Sequence, residues 1–175
     1  MGETIKPKAP RRQYGALPYR FRTDGSLEIL LVTTRRTGRW IVPKGWKIKG
    51  KKPARSAAQE AFEEAGVRGK VSEKPIGSFV YDKWLDGDGV SAPCEVRVFA
   101  LMVKRQEDTW RESQEREARW VTPEIALQLV DDTGLRDLIA ASVDALSFEP
   151  APRTSLGIQA GDPPAVWGAS RQDTR

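Results

Sequence analysis

The stretch PARSAAQEAFEEAG, from Pro53 to Gly66, constrains the fold more than any other part of the chain. Pro53 suits a first helical turn, where its missing N–H is not needed, and Gly66 suits the position just past a helix end, so the residues between them predict a helix with defined limits. Lys52 brings no capping oxygen to its start. At about 100° per residue, Ala57, Ala58, Ala61, Phe62 and Ala65 form an apolar stripe expected to lie on a sheet, and Glu60, Glu63 and Glu64 gather on the adjoining face. Like charges at these spacings cost a few tenths of a kcal/mol per pair. A Mg²⁺ ion would offset that cost, because it is hard and prefers oxygen ligands; an ordinary solvated glutamate face is the competing reading of the helix by itself.

The surroundings of this helix read as strands. LEILLVTT follows the turn signal Thr23-Asp24-Gly25-Ser26 and is apolar and β-branched enough for a buried strand. RWIVP, KPIGSFVYDKW and CEVRVFALMVKR are further strands, the last the most hydrophobic and so expected at the centre. YGALPYRF also reads as a strand, with Pro18 pointing to an edge or a bulge. Two more helices are expected, from Pro123 to about Val130 and from Leu135 to Ala145. Strands interleaved with helices predict an α/β fold in which helices cover a mixed sheet. The expected domain runs from Gln13 to Glu149, between a basic flexible arm over 1–12 and a Pro/Gly/Ser-rich, disordered tail over 150–175. Asp86-Gly87-Asp88-Gly89 is expected in a polar loop between two strands.

Composition narrows the chemistry. The chain has no histidine, which excludes Ser-His-Asp and Cys-His schemes and His-ligated metals. Cys94 is alone, so neither an internal disulfide nor a thiolate metal site is expected, and a buried inert thiol is the plain reading. No apolar run is long enough to cross a membrane and no secretory leader is visible, so cytoplasmic residence is the expectation. The net charge of +5 is uneven: Arg35 to Arg55 holds nine basic residues and no acid, leaving the rest of the chain at −4. Charge alone leaves a solvated face, a nucleic-acid patch and a cradle for a compact polyanion all open.

The segment from Gly45 to Val67 resembles the box of the Nudix hydrolase family, G-x5-E-x7-R-E-U-x-E-E-x-G-U with U aliphatic. Gly45, Glu60, Glu63, Glu64 and Gly66 match its fixed residues, and Ala61 and Val67 its aliphatic ones. Two positions depart: Lys51 replaces the early glutamate and Gln59 the arginine. In the family those two pair with each other in a supporting salt bridge, so their joint loss orphans no charge. Beyond the box, RWIVPKGW, PIGSF and ARWVTPEIA resemble the diphosphoinositol polyphosphate phosphohydrolase branch over Arg12 to Ala141.

The resemblance implies a Nudix fold and a Mg²⁺-dependent enzyme, with Mn²⁺ as a substitute, that cleaves a phosphoanhydride bond. Diphosphoinositol polyphosphates or diadenosine polyphosphates are the expected substrates, with an ADP-ribose-type nucleotide sugar, or a non-catalytic polyanion-binding domain, as alternatives. It implies that Glu60, Glu63 and Glu64, with a carbonyl of Gly45 or Lys44, hold the metal, and that Glu63 or Glu64 takes the proton from water; Glu112 or Glu115 is the loop alternative. Arg12, Thr34, Arg35, Arg39, Lys44 and Arg116 are the expected substrate contacts. Trp46 is placed either to stack on a base or to pack under its loop. The expected partner is a small polyphosphate, with no membrane and no nucleic acid, and the oligomeric state is left open.

Overall fold

A computed structural model describes residues 11–84 and 91–147. The expected arm up to residue 10, the loop at 86–89 and the tail from 150 lie outside the described residues.

The strands are β1 (Arg11–Phe21), β2 (Leu27–Thr33), β3 (Trp40–Ile41), β4 (Lys44–Trp46), β5 (Val67–Val71), β6 (Gly77–Trp84), β7 (Ser91–Gln106) and β8 (Ala118–Val121). The helices are α1 (Pro53–Ala65), α2 (Pro123–Leu129) and α3 (Thr133–Ser147). They form one mixed sheet with the path β3-β2-β1-β7-β5; β4 joins β1, β6 joins β7, and β8 joins β2. Among the described residues only β1 and β7 run parallel, in register from Arg11 opposite Cys94 to Tyr19 opposite Met102. The most hydrophobic segment is central, as its composition requires.

Pro18 departs from the expected edge or bulge, because β1 is not an edge and its register with β7 runs unbroken through Pro18. On one side β1 pairs with β7; on the other it pairs with β4 through Gln13, Tyr14 and Gly15, then with β2 from Tyr19. The Ala16 N–H donates toward Pro43 on that second side, so Pro18, two residues on, directs its donorless nitrogen to where β4 has ended and β2 has not begun. A central strand accepts a proline at such a splay. The strand also starts at Arg11, so Arg11 and Arg12 belong to the sheet and not to the arm.

Helix α1 packs on β1, β4, β5 and β7, whereas α2 lies against β2, β8 and α3, and α3 lies against β6. Its buried face is Ser56, Ala57, Ala61, Glu64 and Ala65; Ala58 and Phe62 are only half-buried, so the stripe is rotated toward Glu64. Lys52 provides no side-chain cap, and Gly66 closes the helix at φ 69°. Tyr19, Leu17, Ile29, Leu30, Leu31, Leu101, Leu135 and Ile139 are among the fully buried large side chains of the core, and Cys94 is buried as expected.

Candidate active site

Strand β4 brings Gly45 against the middle of α1, where a Cβ would stand 2.1 Å from the Glu60 carboxyl carbon. A side chain at position 45 would push that carboxylate out of this place. Glu64, one turn further along α1, is buried: its Oε1 accepts from Arg116 Nη2 at 2.7 Å and its Oε2 from the Lys44 N–H at 3.3 Å. Burial pushes the Glu64 carboxyl up to about 7, against the pull of Arg116 and Lys44. Glu60 is also raised, first by burial and then by the negative charge of Glu63 and Glu112. Burial lowers Lys44 to about 8, with Glu64 acting the other way.

Glu63 faces elsewhere. Its Oε1 accepts from Gln59 Nε2 at 2.8 Å and its Oε2 from Arg111 Nη1 at 2.6 Å. Lys51 Nζ in turn donates to Gln59 Oε1 at 3.2 Å, so the two residues that depart from the box still touch each other, as a lysine–amide contact. Among the described residues no three acidic side chains stand close enough to form a metal-binding group in this arrangement. The donor set still suits Mg²⁺, which is commonly held by one or two carboxylates: the half-buried Glu60 and the buried Glu64 are raised carboxyls beside the β4 backbone.

The segment between β7 and β8 closes over α1. Trp110 Nε1 donates to the Glu64 carbonyl at 3.0 Å, Arg111 reaches Glu63, and Arg116 bridges Glu64, Glu112 and the Thr33 carbonyl. Gly66 lies under Trp110, where a Cβ would approach the ring to 2.7 Å. Trp110 and Arg111 were not foreseeable as site residues, since they meet α1 only through the return of this segment.

Thr34, Arg39 and Lys44 line one cleft of about 420 Å³, together with Trp40, Tyr81, Asp82, Asp131 and Asp132. Tyr81 donates to Gln13 Oε1 at 2.7 Å, and Lys44 Nζ stands 4.9 Å from the centre of its ring. Arg35 instead pairs with Glu115 at 3.0 Å, and Arg12 with Glu95 at 2.7 Å; neither lines this cleft. Trp46 is exposed at 42%, under the Lys83 ammonium, and does not pack beneath its loop.

The sequence profile of the NUDIX domain matches residues 10–141. The chain belongs to the Nudix family. Nudix hydrolase 21, chloroplastic, of Arabidopsis thaliana is 30% identical over 141 residues, covering 77% of this chain and 67% of the relative. Diphosphoinositol polyphosphate phosphohydrolase 3-beta of Bos taurus is 31% identical over 113 residues, 63% of this chain and 64% of that protein. The chain spans between 52% and 67% of the length of the first three curated relatives. Two solved structures share the Nudix fold: C. elegans Ap4A hydrolase (21% identity, TM-score 0.57, 78% of this chain and 98% of that one) and the NUDIX domain of Shewanella oneidensis NrtR complexed with ADP ribose (14%, 0.61, 82% and 94%). No helix among the described residues is long and apolar enough to cross a membrane.

Proposed function

We propose that this Nudix domain is a Mg²⁺-dependent pyrophosphohydrolase acting on a phosphoanhydride bond of a polyphosphate anion. The observation that carries the reading is the pair of carboxyls at the β4 backbone, half-buried Glu60 against Gly45 and buried Glu64 on the Lys44 N–H, beside a cleft with Arg39 and Lys44 on its wall. Glu60 and Glu64 would hold the ion, with the β4 backbone as a further oxygen source. When bound, Mg²⁺ would neutralise phosphate oxygens and favour attack by water as a Lewis acid. Arg39 and Lys44 orient the phosphate chain, and Thr34 offers a neutral donor. Water attacks phosphorus, the bridging P–O bond breaks, and the water proton passes to a carboxylate. Glu64 is favoured over Glu63 as that acceptor, because it is buried beside the β4 backbone with its carboxyl raised to about 7, whereas Glu63 is turned toward Gln59 and Arg111. Arg116 keeps Glu64 in place.

The same cleft favours a nucleoside-bearing substrate over a diphosphoinositol polyphosphate. Its two cations are matched by Asp82, Asp131 and Asp132, and Trp40 and Tyr81 offer aromatic faces. Such a lining suits a base and ribose beside a phosphate chain, as in a diadenosine polyphosphate, better than a ring bearing phosphates on every side. A nucleotide sugar shares the nucleoside and remains the second reading. A panel of diadenosine polyphosphates, diphosphoinositol polyphosphates and ADP-ribose with Mg²⁺, products resolved by chromatography, tests this. The highest kcat/KM is expected for a diadenosine polyphosphate, with Arg39→Ala raising KM more for it than for ADP-ribose. Preference for the inositol substrate would overturn the choice, and turnover of none of them would overturn the hydrolase reading.

A further inference from the structure

The nine cations between Arg35 and Arg55 do not form one wall in the fold. Arg39 and Lys44 line the cleft beside the glutamates, whereas Lys51, Lys52 and Arg55 line a separate cleft of about 600 Å³ against α1, and the two clefts share no residue. Arg68 joins the second group from β5, its guanidinium lying 3.5 Å from the centre of the Phe62 ring. That stacking fixes the cation at the surface of the cleft without neutralising it. Phe62 and Leu101 supply an apolar floor, and no acidic side chain is among the lining residues.

This concentration of charge runs against the stability of the helix. Lys51, Lys52 and Arg55 crowd the start of α1, where aligned peptide dipoles disfavour cations, and its first turn carries no acid to offset them. Lys51 has a neutral partner in Gln59, and Arg68 has Glu107 at 3.5 Å. A local arrangement that opposes its own element marks a place shaped by something other than folding.

We propose that this cleft is a second anion site, separate from the catalytic face, that takes a small molecule bearing clustered phosphates. A concave volume of this size, open to solvent and edged by exposed cations, fits a compact ligand; an extended nucleic acid would need a longer basic track. Inositol hexakisphosphate is a suitable probe, since it carries only phosphomonoesters and offers no anhydride to cut.

The test is a titration of the full chain with inositol hexakisphosphate followed by amide NMR shifts, in wild type, in Lys52→Glu/Arg55→Glu and in Arg39→Ala. Saturable shifts are expected over residues 50–55 and 68–69, with affinity at least about tenfold weaker in the double variant and unchanged there in Arg39→Ala. The double variant places one acid at the N-cap of α1 and one in its first turn, so its melting temperature should equal or exceed that of wild type, and lost binding cannot be put down to unfolding. Shifts confined to residues 39–46, shifts over 50–55 that persist after charge reversal, or shifts that never saturate would each overturn the proposal.

Discussion

At the scale of single residues, Glu64 carries the most information. Its position follows from helical spacing alone, but its state depends on burial and on Arg116, 52 residues away in the chain. Burial raises its carboxyl from 4.5 to about 7, so the folded protein holds this proton more tightly than the unfolded chain does. The resulting stability is fully present below about pH 4.5 and is lost as the pH rises toward 7, the reverse of an ordinary ion-paired carboxylate. Thermal melts of metal-free protein should therefore show Glu64 lowering the melting temperature across that interval relative to Glu64→Gln, and millimolar Mg²⁺ should reduce the difference. Parallel pH profiles for the two proteins would contradict the burial account. The identities of Glu60, Glu63 and Glu64 were legible in the box spacing, whereas the diversion of Glu63 toward Gln59 and Arg111 was not, because Arg111 reaches α1 only once the chain has returned from β7.

At the scale of elements, α1 and its closing glycine were readable because Pro53 and Gly66 act through local backbone chemistry. Short pieces left no such signal. Strand β4 is three residues long and β5 buries only Val67 fully, so neither displays a period that could be recognised before the sheet assembles. The edge or bulge expected at Pro18 failed for a related reason, since a splay between two neighbours exists only in the finished sheet. Gly66 joins the element to the site: its φ of 69° disfavours any Cβ, and the ring of Trp110 occupies the space one would need. Gly66→Ala should lower stability by about 2 kcal/mol, seen as a smaller denaturant midpoint with an unchanged slope. It should also reduce activity under native conditions, because the displaced segment carries Arg111 and Arg116. An unchanged midpoint would show that the helix end tolerates a side chain and that Trp110 moves freely.

Across the whole molecule, the sheet sorts a charge pattern that is continuous in sequence. Five cations of the basic run divide between two clefts, Arg39 and Lys44 beside the glutamates and Lys51, Lys52 and Arg55 at the start of α1, and the first cleft also includes three aspartates. Fold class was legible because hydrophobic runs and helix signals are local; the distribution of charge was not, because it depends on which way β4 and α1 present their side chains. The proposed hydrolysis depends on Glu60 and Glu64 of α1 holding a divalent cation for anhydride cleavage. Its most direct test is Mg²⁺-dependent hydrolysis of a diadenosine polyphosphate by wild type and Glu64→Gln, with circular dichroism verifying the fold. Loss of kcat by about 10²- to 10⁴-fold in the variant, with the fold intact, is the predicted result; a variant that turns over at the wild-type rate and responds to Mg²⁺ as wild type does would contradict it.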